Sequence, residues 1–261
     1  PGNLNANSFR FTLAHEIAHC FQFEVNSAAA PALATAASLE PDPTLWWVEG
    51  TAEWLAAQIY LPIGNPIEKN VREFYMISNQ SPLIYKYENY WFFAFYATTY
   101  GEIAMRNFMR TVPGDEAGQL RFLNSVQATP DMMQRYARLI QRRALRYQPT
   151  YPPAGTLEQT PAALPYAMPI QTPQLSVMPV RVTVPAPSVA GNGIAVKITS
   201  GWDNGYRALL PDGTPIDSAG VTVCGRDLST TLLLTISRGA DPAEAGGEIT
   251  WKMSRTGAAV A

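Results

Sequence analysis

Histidine is nearly missing from this chain, with two among 261 residues. Charge is sparse as well: Asp, Glu, Lys and Arg make up 15% of the residues, against about 25% in an average soluble protein. The formal net charge of −2 leaves no basic excess with which to grip a phosphate backbone, so no nucleic-acid partner is expected. Cysteine is limited to Cys20 and Cys224, which permits one disulfide without demanding it. Long hydrophobic runs are lacking too. Pro31 interrupts the Ala-rich stretch 28–37, and nothing approaches the roughly 20 apolar residues of a spanning helix, so no transmembrane segment is expected. The start at Pro1-Gly2-Asn3 offers neither an initiator Met nor a basic region followed by an apolar one, and reads as trimmed or processed. Low charge, many prolines and few cysteines agree with a secreted or extracellular protein.

What is present suffices for a core: 47% of the residues are apolar, and the length favours one or two domains. Ten prolines fall at 149, 152, 153, 161, 165, 169, 173, 179, 185 and 187, which rules out continued helix there. On the N-terminal side apolar residues recur at helical spacing. On the C-terminal side Val180, Val182 and Val184 alternate with polar residues, as do Ile194, Val196 and Ile198, with strand candidates at 206–210, 221–224, 230–236 and 248–253 between turn signals. The expected fold class is therefore α+β in two domains: a mainly helical domain over 1–148, a Pro-rich linker over 149–172, and an antiparallel β-sandwich over 173–261.

Both histidines sit in Phe11-Thr-Leu-Ala-His15-Glu16-Ile-Ala-His19-Cys20, the pattern H-E-x-x-H. Phe11, Ala14, Ile17, Ala18 and Phe21 recur at helical spacing, giving a mostly apolar and therefore buried helix over about 8–24. Residues four apart share a helix face, so His15 and His19 can offer two nitrogens to one metal while Glu16 flanks them. Independent placement would put the only two histidines in this relation on the order of once in a thousand chains, so packing alone is a poor account. Zinc is the expected metal. A metzincin continuation would need glycine and histidine at positions 22 and 25, where this chain has Gln22 and Val25. With no third histidine, a further ligand must be Asp, Glu or Cys, and Cys20 points about 100° away from His19.

Asp42-Pro43 signals the start of a second helix over about 43–60, with an apolar stripe of Leu45, Val48, Ala52, Leu55 and Ile59. Glu49 and Glu53 lie four apart beside that stripe and need partners there. Ile67–Ile77 reads as a third helix, and Tyr85–Gly101 as an aromatic-dense helix ended by glycine. Further helices are expected at about 102–111, 115–127 and 130–147.

His15-Glu16-x-x-His19 followed by Trp46-Trp47-Val48-Glu49-Gly50-Thr51-Ala52-Glu53-Trp54 resembles the gluzincin zinc metallopeptidases, as in aminopeptidase N-like enzymes and clostridial collagenases. The resemblance covers about residues 8–110, with Val48 where aminopeptidase-like members carry asparagine. It implies a zincin-like catalytic domain, one zinc ion, Glu49 as third ligand and Glu53 as the acidic residue that orients a ligand histidine. Tyr87, opening Tyr87-x-x-Tyr90-x-x-Phe93, matches a tyrosine that contacts the tetrahedral intermediate, with Tyr85 and Tyr90 close by. The implied activity is zinc-dependent hydrolysis of a peptide or protein substrate, with Glu16 as general base. Two other readings use the same residues: a binding or adhesion protein with structural zinc, and a zinc amidase acting on a non-peptide bond.

Overall fold

The computed structural model describes residues 6–29, 42–60, 80–142, 156–162, 164–183, 194–200, 205–223, 231–239 and 249–255. The chain divides into two compact units, one of residues 1–77, 81–126 and 143–151, the other of 78–80, 127–142 and 152–261. The helical N-terminal part followed by C-terminal strands matches the α+β expectation. The helix expected over 67–77, the last part of that expected over 130–147, Val184 and Cys224 lie outside the described residues.

The first unit holds α1 (Ala6–Val25), α2 (Leu45–Ile59), α3 (Tyr90–Thr111) and α4 (Glu116–Val126). Asp42 prepares the start of α2: its Oδ1 accepts from the Thr44 backbone N–H at 2.8 Å and from the Thr44 hydroxyl at 2.6 Å. From Leu45 to Trp54 every residue of α2 is buried. This helix is the centre of the unit, wrapped by α1 on one side and by α3 on another. Trp46 stacks on Phe93 with ring centroids 5.4 Å apart, Phe108 packs on both Trp46 and Trp47, and the Trp46 indole donates to Gln119 of α4 at 2.8 Å. Gly101, with φ 88°, interrupts α3 where the sequence placed a helix end, and separates its aromatic half from Glu102–Thr111.

One expectation needs correction. α1 is not buried all round: Phe11, Ala14, Ala18 and Gln22 face inward, whereas Phe9, Leu13, Ile17, Phe21 and Val25 are exposed. The helix rests on α2 by a single face, and residues spaced by four on the other side reach water.

Among its described residues the second unit contains α5 (Thr129–Gln141) and the strands β1 (Leu157–Gln159), β2 (Tyr166–Ile170), β3 (Val177–Thr183), β4 (Ile194–Ser200), β5 (Tyr206–Leu209), β6 (Pro215–Ile216), β7 (Val221–Val223), β8 (Thr231–Arg238) and β9 (Ile249–Arg255). They form a sheet of order β1-β3-β8-β5-β6 and another of order β2-β9-β4-β7. Pairing is antiparallel apart from the parallel β1–β3 edge. Alternate residues of both sheets, among them Val180, Val182, Ile236, Val196, Trp251 and Met253, bury into one cluster.

Two boundaries move relative to the sequence reading. The Pro-rich stretch 149–172 carries β1 and β2, each at the edge of its sheet, where proline costs no ladder bond on the outer side. The helix expected over 130–147 belongs with the strands as α5. Asp131 lies 3.4 Å from the Arg207 guanidinium of β5, and the Gln141 amide donates to the Leu210 carbonyl at 2.9 Å. Among the described residues no helix is long and apolar enough to cross a membrane.

Candidate metal centre

The inward face of α1 brings His15 and His19 against Glu49 and Glu53, one turn apart on α2. All four are buried, at 6%, 5%, 8% and 3% exposure respectively. His15 Nε2 lies 3.1 Å from Glu49 Oε2 and 3.1 Å from His19 Nε2, and His19 Nε2 lies 3.6 Å from the same Glu49 oxygen. One donor atom from each of His15, His19 and Glu49 falls within 4.8 Å of the other two, so this buried group can hold a metal ion.

The other ring nitrogens are engaged elsewhere. His15 Nδ1 donates to Glu53 Oε2 at 3.1 Å, and His19 Nδ1 donates to Gln22 Oε1 at 2.8 Å. Two imidazoles whose Nδ1 protons are given away turn both Nε2 atoms toward one another and toward a carboxylate. Lone pairs converging in this way repel unless something positive lies between them. A proton can serve, and the surroundings of His15 favour one there. Burial, the largest single influence, works to lower the His15 pKa, but the hydrogen bonds and charges of Glu49 and Glu53 together outweigh it and push it up to about 9. Burial likewise works to raise Glu49, and the hydrogen bonds and charges of His15 and His19 draw it down to about 2. Two imidazole nitrogens and one carboxylate are a donor set of the kind that zinc accepts.

Glu16 stands apart from this cluster, exposed on α1. It is close enough for its charge to act on the Tyr87 phenol. Tyr87 belongs to a single 3₁₀ turn, Tyr87–Asn89, that leads into α3, and its ring centroid is 5.6 Å from that of His15. Burial, followed by the charges of Glu49, Glu53, Glu16 and Glu88, pushes the phenol up to about 12. Tyr90 and Tyr85 are buried in the core, so of the three neighbouring tyrosines Tyr87 is the one partly exposed beside the histidines. Cys20 is exposed and free, with its sulfur turned to the Glu16 carbonyl of its own helix.

Three residues important to this geometry were not singled out from the sequence. Gln22, three residues after His19 and on the same face, supports its ring. Asn89 is fully buried and its amide nitrogen lies within hydrogen-bond range of the carbonyls of Trp46, Pro82 and Tyr85 at 3.1, 2.8 and 3.1 Å, pinning the Tyr87 turn to α2. Gly50 lets α2 approach that turn: a Cβ there would stand 2.7 Å from Phe93 Cε2 and 2.8 Å from Asn89 Cβ. The spacing of Gln22 was a usable signal. For Asn89 and Gly50 nothing local distinguished a tertiary contact from an ordinary helix position.

Fold and site together define an α+β protein with a buried two-histidine, one-glutamate group able to hold a metal ion. A family model described as a family of unknown function (DUF6055) matches residues 3–117, a span that includes every residue of the cluster together with Glu16 and Tyr87. No curated protein and no solved structure matches the chain.

Proposed function

We propose that this chain is a zinc-dependent metallopeptidase of the gluzincin type, with a zincin-like helical catalytic domain followed by a β-sandwich. The observation that carries the reading is the convergence of His15 Nε2, His19 Nε2 and Glu49 Oε2, with both Nδ1 atoms committed to acceptors behind them. His15, His19 and Glu49 would hold the ion, and Glu53 fixes the His15 ring. Zinc in such a site supplies Lewis acidity, acidifying water and polarising a carbonyl.

The remaining steps belong to the protein's own side chains. Glu16, exposed on the same helix as His15 and His19, accepts a proton from the attacking water and passes it to the leaving amine. The Tyr87 phenol keeps its proton at neutral pH, as its raised pKa requires, and can donate to the oxygen that gains charge as a peptide carbonyl becomes tetrahedral. An exported protein acting on peptide or protein substrates fits this chemistry.

Metal analysis of the purified protein is expected to show about one zinc per chain, lost in the His15→Ala, His19→Ala double variant. Absence of zinc from the wild type under zinc-replete conditions overturns the proposal. Casein, gelatin and short peptides, assayed with and without a chelator, test the activity. Glu16→Gln should retain zinc and lose hydrolysis, and retained hydrolysis would remove Glu16 from its role.

A further inference from the structure

Gln22 is a fully buried amide whose orientation can be deduced without observing a hydrogen. Its side-chain nitrogen lies 2.7 Å from the Val48 carbonyl oxygen, and also reaches the Thr51 hydroxyl. A backbone carbonyl can only accept, so the atom facing it must be the NH₂ group. The Gln22 oxygen is thereby turned to His19 Nδ1, at 2.8 Å. That oxygen can only accept as well, which puts the His19 proton on Nδ1 and leaves Nε2 as the nitrogen with a lone pair.

We infer that Gln22 is a positioning residue for the metal. It holds His19 in the tautomer whose Nε2 can coordinate, and ties that ring to the turn of α2 immediately before Glu49. One side chain thus sets the relation between ligands carried by two different helices. The inference rests on the reading of His15, His19 and Glu49 as zinc ligands.

The two supports differ in kind. Behind His15 stands the carboxylate of Glu53, and behind His19 a neutral amide. Only an amide satisfies both contacts at position 22, because it accepts from the imidazole at one end and donates to the Val48 carbonyl at the other. Glutamate would set an oxygen against that carbonyl, and methionine, similar in length, would make neither bond. Loss of such an outer partner typically weakens metal binding 10- to 100-fold.

The test combines zinc affinity, measured by competition with a fluorescent chelator, with ¹H–¹⁵N NMR of the imidazole rings in the zinc-bound protein. Expected are a protected His19 Nδ1–H with zinc on Nε2 in the wild type, and a Gln22→Met variant that binds zinc about 10- to 100-fold more weakly and loses that protection. Its metal-free melting temperature, read in parallel, reports any loss of packing, which alone would not alter the His19 tautomer. Equal zinc affinity in Gln22→Met, within about twofold, with the tautomer unchanged overturns the inference. So does wild-type His19 coordinating through Nδ1, a result that needs no variant to fold. If wild-type protein binds no zinc at all, the failure lies with the metal reading itself.

Discussion

Alanine at position 50 is the smallest change that tests how closely α2 and α3 must approach. The new methyl would stand 2.7 Å from Phe93 Cε2 and 2.8 Å from both Phe93 Cδ2 and Asn89 Cβ, roughly 1 Å inside ordinary carbon–carbon contact. Phe93 and Asn89 are fully buried, Phe93 lies on Trp46, and the Asn89 amide is held by three carbonyls, so neither neighbour has free space to enter. Overpacking of this kind costs about 1–3 kcal/mol. Alanine's better helix propensity offsets up to about 1 kcal/mol. A net loss of about 1–2 kcal/mol is expected for Gly50→Ala. Urea unfolding followed by tryptophan fluorescence will measure it, because four of the six tryptophans lie between residues 46 and 91. A variant as stable as the wild type, or more stable, would refute the close approach. If the strain is relieved by movement of Asn89, the Tyr87 turn moves with it, and activity should fall further than zinc affinity does.

Zinc binding at pH 7 must displace the proton on His15, whose pKa stands at about 9, so close to one proton should be released per zinc bound. Calorimetry in two buffers of different ionisation enthalpy detects the release, and identical heats would contradict it. In the metal-free protein His15 adds stability that is complete below its ordinary value of 6.5 and is lost as pH rises through about 9. Glu49 adds stability that is present above 4.5 and lost as pH falls toward about 2. As far as these two groups decide it, metal-free melting temperatures should be highest between those limits and fall from pH 7 to 9; a rise over that interval would count against the His15 assignment. Tyr87→Phe should bind zinc about as well as the wild type while kcat falls about 10²- to 10³-fold, the usual effect of removing one oxyanion donor. Tyr90→Phe, altered in the core, should leave kcat near the wild-type value, and a reversed pattern would exchange the two tyrosines.

The site's principal residues were legible because their spacing is local. His15 and His19 are a turn apart on one helix, Glu49 and Glu53 are a turn apart on another, and a buried helix face makes each of these four demand a partner. Which tyrosine stands beside the histidines was not legible from periodicity, since Tyr85, Tyr87 and Tyr90 occur within six residues. The choice depends on the 3₁₀ turn at Tyr87–Asn89, which Asn89 holds through bonds to carbonyls as far away as Trp46. Strands β3 and β4 announced themselves through alternation, and β5, β7, β8 and β9 as candidate runs between turn signals. β2 did not, because an edge strand tolerates the proline, Pro169, that normally argues against a strand, and β1 is only three residues long, too short to show a period. The exposed side of α1 escaped notice for a related reason: composition gives the apolar content of a helix but not how many of its faces have a neighbour.

The placement of Glu49 and Glu53 among Trp46, Trp47 and Trp54 has an evolutionary consequence. Apolar replacements for buried ionised groups are often neutral, or stabilising by about 1–4 kcal/mol, so selection for folding alone would not keep two carboxylates on the most enclosed helix of the unit. Chains descended from this one that have lost the proposed metal chemistry should drift toward leucine, methionine or alanine at 49 and 53 while keeping the surrounding tryptophans. The letters at these two positions would then separate working copies from inert ones before any of them is purified.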